Sequence, residues 1–215
     1  MPFTDPRVAE VFTLYHERHQ QERELINALP PGAFGERRDE FLLPVGAAAG
    51  GFLRSLAVAR APERILELGT SYGYSTLFLA DAARACGAMV VSVDLDARKQ
   101  DYAAAMLERA GLAGHVEFRC GDALDVIAAD PGEFGLVLLD IWKNLYLPCF
   151  EAVYPKLAEE GVLVSDNMIQ PASAREAVRA YRAAVKAKPD LQSVLLPLGS
   201  GIELTVKWSA GNAKL

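Results

Sequence analysis

With 215 residues, 51% of them hydrophobic and 23% charged, the chain has the apolar content of one globular domain with a full core. Lys plus Arg number 22 against 28 Asp plus Glu, a net charge of −6 with no basic block, so neither nucleic acid nor an anionic membrane is an expected partner. The opening "MPFTDPRVAEVF" has an early acid and no apolar h-region, and no run approaches the length of a membrane span, so the expected location is cytoplasmic.

Residues 6–28 place Val8, Val11, Phe12, Tyr15, Leu25 and Ile26 on one side of a helix. "PPGAFGERRDE" interrupts, and a second apolar helix is expected near 44–60. Short apolar runs then alternate with helical segments: "RILEL" (64–68), "MVVSVD" (89–94), "VEFRC" (116–120), "LVLLD" (136–140), "GVLVSD" (161–166), then "SVLLPL" and "IELTVKW". Continuous Leu-rich and β-branched runs separated by helices predict a parallel sheet covered on both faces. The last two runs are joined by only "GSG" and predict an antiparallel hairpin at the sheet's end. Nothing divides the chain, so one domain over 1–215 is expected, with 1–60 as a helical lid over the substrate and 61–208 as the core. "SAGNAKL" (209–215) reads as a disordered tail. Cys86, Cys120 and Cys149 are an odd set at wide spacing without CxxC, which argues for buried thiols and against disulfides or a thiolate metal site.

In such sheets ligands sit beyond the carboxyl ends of the strands, where strand order reverses. The first strand runs into "ILELGTSYGYSTLFLA", a glycine turn and then a helix capped by Ser75 or Thr76. Gly69 and Gly73 let the backbone lie close to a ligand, and the helix start offers free N–H groups. A dinucleotide site would want GxGxxG. This is G-x-x-x-G preceded by Glu67, whose carboxylate would repel a pyrophosphate and suit a cationic ligand. The second strand ends at Asp94, the place for a carboxylate accepting both ribose hydroxyls. The third leads to Gly121, Asp122 and Ala123, where a side chain and a backbone N–H can hold an adenine edge. Taken singly, each has an ordinary reading as a cap or a turn. In strand order they describe a nucleoside pocket without phosphates.

"LVLLDIWKNLYLP" (136–148) is a second anomaly, because a buried strand ends by placing Asp140, Trp142 and Lys143 within four positions. The bland reading makes Asp140 a cap for a helix near Pro148, Asp166 and Asn167 a turn pair, Lys143 a solvated charge and Trp142 core packing. It leaves unexplained why two adjacent strands end in carboxylates.

At these motifs the chain resembles the metal-dependent branch of the class I S-adenosylmethionine-dependent O-methyltransferases, the catechol and caffeoyl-CoA O-methyltransferases. "ILELGTSYGYST" and "VSVDLD" resemble that family's first two cofactor motifs, and "LLDIWKNLYLP" followed by "GVLVSDNMIQP" resembles the catechol enzymes' Asp-His-Trp-Lys segment and Asp-Asn pair. The resemblance covers about residues 40–207. It implies a Rossmann-like α/β fold with a seven-stranded, mostly parallel sheet in the order 3-2-1-4-5-7-6. It also implies methyl transfer to a hydroxyl of a small catechol-like or phenylpropanoid-like aromatic acceptor. Asp140, Asp166 and Asn167 would hold a divalent metal, Mg²⁺ first and Ca²⁺ or Mn²⁺ next, and Lys143 would be the catalytic base. Glu67, Gly69, Ser71, Ser75, Asp94, Asp122, Ala123, Asp140 and Trp142 would line the S-adenosylmethionine pocket. A homodimer is implied as well.

The residue types suit that chemistry. Two carboxylates and an amide form a hard oxygen site with room for substrate oxygens, and a cation there would acidify a hydroxyl. A lysine nearby could accept the proton. Ile141 stands where the catechol enzymes carry histidine, so apolar contact replaces a polar one near the cofactor. Tyr72, Tyr74 and Tyr146 read as packing and pocket walls, and "HERH" with His16 and His19 as an exposed helix face; His115 too lies far from the strand ends in sequence. "LQSVLLPLG" offers no acid for a second substrate hydroxyl, and Glu203 is assigned no such role. The alternatives are a metal-independent methyltransferase, an NAD-type dehydrogenase, opposed by the missing GxGxxG, and a non-catalytic nucleoside-binding module, opposed by the intact Asp140, Lys143, Asp166 and Asn167.

Overall fold

The computed structural model of the chain describes residues 3–209. Most of the expected tail, 210–215, lies outside those residues. Three helices come first: α1 (Pro6–Asn27), a single short turn α2 (Ala33–Arg37) and α3 (Ala47–Arg60). Asp5 caps α1 by accepting from the Arg7 amide, with Pro6 at the first helical position, where its missing N–H costs nothing. The stretch expected as an interruption is itself partly helical, since a 3₁₀ turn over Arg38–Glu40 follows α2.

Strands and helices then alternate: β1 (Arg64–Leu68), α4 (Tyr74–Cys86), β2 (Met89–Asp94), α5 (Ala97–Arg109), β3 (Val116–Cys120), α6 (Ala123–Ala129), β4 (Phe134–Leu139), α7 (Tyr146–Val153), β5 (Leu157–Ser165) and α8 (Arg175–Ala187). β6 (Leu191–Leu196) and β7 (Ile202–Lys207) close the fold. The seven strands lie in the order β3-β2-β1-β4-β5-β7-β6, as the resemblance implied. β1 to β5 are parallel, and β7 runs antiparallel to both β5 and β6. The hairpin connection is longer than expected, running from Pro197 to Gly201, because β6 begins two residues earlier and ends before the proline.

The continuous apolar runs follow from burial on both faces. Leu66, Leu68, Val137, Leu139 and Leu163 face the core under α7 and α8, whereas Ile65, Leu136, Leu138, Val162 and Val164 face the core under α3 and α4. A third cluster packs Val8, Val11, Phe12 and Tyr15 of α1 against Tyr74, Leu77 and Phe78 of α4. Of the three cysteines only Cys149 is buried; Cys86 is half-buried and Cys120, at the end of edge strand β3, is exposed. An edge strand has a neighbour on one side only, so its end lacks the cover that the buried reading assumed.

Strand order reverses between β1 and β4, and backbone hydrogen bonds tie the carboxyl ends together across that point. Gly121 N donates to Asp94 O (2.9 Å), Gly69 N to Val93 O (2.9 Å), Asp140 N to Leu68 O (2.9 Å) and Asp166 N to Leu139 O (3.1 Å). Five strand ends thus form one rigid platform. Among the described residues no helix is long and apolar enough to cross a membrane.

Candidate active site

A cavity of about 1220 Å³ opens above this platform. Its walls leave out Gly73, which packs against Ala103 and Tyr15, and include Gly69, Ser71, Ser75, Asp94, Asp122, Ala123, Asp140, Trp142, Lys143, Asp166 and Asn167, so all but one of the residues assigned to cofactor, metal or catalysis meet in one place. The exception is Glu67. It is fully buried and absent from the walls, accepting hydrogen bonds from Ser75 Oγ, Thr76 Oγ1 and Ser92 Oγ, each at 2.6 Å. Burial raises its pKa to about 7, against the opposing pull of the three hydroxyls. Glu67 therefore pins the start of α4 from beneath instead of facing a ligand. Ser75 and Thr76 do not cap α4 either; Gly73 (φ 86°) is the cap residue, and the two hydroxyls point down at Glu67.

The turn after β1 depends on glycine. At Gly69 (φ 104°) a Cβ would lie 2.1 Å from the Asp140 carbonyl oxygen, because the two loops part here in opposite directions. Ser71 (φ 45°) donates its amide to Asp94 Oδ2 (2.7 Å), and Asp96 N donates to Asp94 Oδ1 (2.9 Å). Asp94 is thus both a turn anchor and a cavity residue, with its carboxylate oriented by two amides before any ligand arrives. Asp122 likewise combines two roles, capping α6 through Leu124 N (2.8 Å) while lining the cavity.

At the other end of the cavity lie the β4 and β5 termini. Asp140 does not cap α7, whose cap residue is Leu145. Its pKa is raised by burial, with the charges of Lys143 and Arg38 pulling the other way. Asp166 is buried, its Oδ1 has no hydrogen-bond partner, and its pKa is raised to about 7 by burial and then by the charge of Asp140. Asn167 adopts a left-handed conformation (φ 55°) that Asn tolerates better than most residues. A buried and a half-buried carboxylate that repel each other, the buried one with an unpartnered oxygen and an amide beside it, suit a hard divalent cation. Among the described residues no group of three or more His, Cys, Asp or Glu gathers to hold a metal; the donor set here is two carboxylates and an amide.

Lys143 Nζ donates to Ile141 O (3.2 Å) and to the Tyr146 hydroxyl, which in turn donates to the Asp166 carbonyl (3.1 Å). Burial lowers the lysine pKa to about 8, outweighing the Asp140 and Asp166 charges that raise it. A solvated loop charge would show neither feature. Tyr146, expected as packing and pocket wall, is fully buried off the cavity walls and links the lysine to the β5 terminus. Its place three residues after Lys143, on the same turn, was the available signal. Trp142 is 47% exposed, so it is cavity wall and not core, and the Arg38 guanidinium sits 5.0 Å from its ring. Glu203 is buried off the cavity and pairs with Arg182 at 2.8 Å.

The "HERH" face is not simply exposed. His19 lines the cavity, and His16 packs on Phe12 (4.3 Å between ring centroids) and shares a hydrogen bond with the Tyr74 hydroxyl (3.1 Å). From the same N-terminal region Phe34, Arg38, Asp39, Leu42 and Leu43 also line the cavity.

The sheet order, the glycine turn after β1 and the acidic ends of β2, β4 and β5 define the class I methyltransferase fold. Residues 66–168 match a family described as a methyltransferase domain. The chain is 37% identical over 130 residues to the catechol O-methyltransferase of Mycobacterium tuberculosis, covering 60% of this chain and 58% of that protein. It is 27% identical over 184 residues to caffeoyl-CoA O-methyltransferase 5 of Nicotiana tabacum, 76% of each. A solved structure of the O-methyltransferase from Bacillus cereus in complex with SAH superposes with a TM-score of 0.73 at 24% identity, over 95% of this chain and 92% of that one. By this fold and these matches the chain is similar to class I S-adenosylmethionine-dependent O-methyltransferases. It spans little more than half the length of the curated relatives it matches at 30% identity or above, 52% to 58%.

Proposed function

We propose that the protein transfers a methyl group from S-adenosylmethionine to a hydroxyl of a small catechol-like or phenylpropanoid-like acceptor, with a divalent cation held by Asp140, Asp166 and Asn167. The observation that carries this reading is the unpartnered buried Asp166 Oδ1, next to Asp140 and Lys143 in the same cavity as the cofactor-side strand ends. The relatives' printed activities, on catechol and on caffeoyl-CoA, support the acceptor class.

In this reading the Gly69–Ser71 turn and Ser75 hold the amino-acid end of the cofactor, Asp94 accepts its ribose hydroxyls, and Asp122 and Ala123 meet its adenine. Trp142 and Ile141 cover it against water. The cation, when bound, would supply Lewis acidity to the acceptor hydroxyl. Lys143 Nζ takes the hydroxyl proton: with a pKa of about 8, a useful fraction is neutral near pH 7. Tyr146 and the Ile141 carbonyl orient that nitrogen. Residues 1–60 form the acceptor-side lid over a core at 61–208.

A methylation assay with catechol, in chelator and then with added Mg²⁺, tests the reading. Activity should vanish and return, and Asp140→Ala and Asp166→Ala should mimic chelation, while calorimetric binding of S-adenosylhomocysteine survives in each. Full activity in chelator favours the metal-independent alternative.

A further inference from the structure

We propose that Arg38 holds the carboxylate of an acidic acceptor, so that the substrate is a small hydroxylated aromatic acid and not a neutral phenol. This rests on the O-methyltransferase reading above and narrows its acceptor. Arg38 is half-buried on the cavity wall contributed by the N-terminal segment, and its guanidinium lies 5.0 Å from the Trp142 ring. The carboxylate groups beside it are already engaged: Glu40 pairs with Arg37 at 2.7 Å and Asp39 with Lys99 at 3.3 Å. Among the described residues Arg38 has no ion-pair partner, whereas Arg18, Arg54, Arg64, Arg84 and Arg119 each have one.

A guanidinium partly withdrawn from water, with no carboxylate in ion-pair contact, leaves its donors open to a ligand anion. Its position says which ligand. Arg38 comes from the N-terminal wall and lies by Trp142 in the loop after β4, whereas the expected cofactor-side residues stand at the ends of β1, β2 and β3. Its charge reaches Asp140 and Lys143, the groups that meet the acceptor hydroxyl. The planar fork of arginine matches a carboxylate in two parallel hydrogen bonds. Phe34, Leu42 and Leu43 on the same wall provide apolar surface for the ring that joins the two polar ends. An aromatic acid with its hydroxyls at Asp140 and its carboxylate at Arg38 satisfies all three.

The test compares 3,4-dihydroxybenzoate with its methyl ester, which keeps the hydroxyls and loses the charge. Wild type should show a kcat/KM higher for the acid by at least about tenfold, as expected for a partly desolvated charge-assisted pair. Arg38→Gln should abolish that preference through KM for the acid, and Arg38→Lys should restore part of it; the ratio of the two acceptors is the readout, so a general loss of activity does not imitate the result. No preference in wild type, or an equal loss for both acceptors in Arg38→Gln, overturns the proposal. So does weakened binding of S-adenosylhomocysteine in Arg38→Gln, which would assign the arginine to the cofactor. If wild type methylates neither acceptor, the reading of the acceptor's reaction fails separately, and calorimetry of acid and ester against the S-adenosylhomocysteine complex decides. Acid-selective binding that disappears in Arg38→Gln upholds Arg38 as a carboxylate site, and absence of selectivity rejects it.

Discussion

Replacing Glu67 by Gln removes a charge from beneath the cavity while keeping shape, and turns one of its two acceptor atoms into a donor. In the folded protein this carboxyl ionises at about 7 in place of its ordinary 4.5, because burial outweighs the three hydroxyls that donate to it. A group that holds its proton more tightly in the fold makes the fold most stable below about pH 4.5. Stability is then lost as pH rises through about 7 and levels off above. At about 1.36 kcal/mol per tenfold change in proton affinity, the loss amounts to about 3 kcal/mol. Glu67→Gln has no proton to lose. Urea unfolding of both proteins between pH 4.5 and 8 should therefore show the variant gaining about 3 kcal/mol relative to wild type across that range. Asp166, raised in the same direction, titrates in both proteins and cancels in the difference. Parallel stability curves would refute the reasoning, and would mean that the Ser75, Thr76 and Ser92 hydroxyls fully offset desolvation.

Two further outcomes are expected. Tyr146→Phe deletes a buried hydroxyl that accepts from Lys143 and donates to the Asp166 carbonyl; it should cost about 1–3 kcal/mol of stability and lower kcat, with affinity for S-adenosylhomocysteine unchanged, as thermal melts, kinetics and calorimetry together would show. Gly69→Ala places a Cβ against the Asp140 carbonyl at a backbone angle that alanine rarely adopts; the backbone strain alone is worth about 1–3 kcal/mol, so a melting temperature and cofactor affinity equal to wild type would show that the two loops can separate freely.

Much of the fold was legible because it is local. The spans of β1 and β2 follow directly from "RILEL" and "MVVSVD", apolar runs of strand length buried on both faces, and that of β3 from "VEFRC", a short run on the partly exposed edge. The glycine after β1 and the acids after β2, β4 and β5 were legible for a related reason: turn chemistry and strand ends are written in consecutive residues. The sheet order came from resemblance alone, because pairing joins segments far apart in sequence.

What local pattern could not decide is which side chains finish inside the cavity and in what electrostatic state. Glu67 sits at the end of a strand whether it faces a ligand or the hydroxyls of α4; only the docking of α4 on the sheet turned it away. His19 and Arg38 belong to a polar stretch of sequence that reads as solvent-facing, yet the packing of α1 against α4 and α5 brings that stretch over the strand ends. Tyr146 looks like any core aromatic until Lys143 and the Asp166 carbonyl are seen at its hydroxyl. Burial and charge act through space, so a residue's desolvation and its partners are set by whatever the fold places around it. Backbone conformation is set largely by neighbours in sequence, and for this protein that difference separates the strands and turns, which the sequence alone determined, from the cavity's polar groups, which the tertiary structure decided.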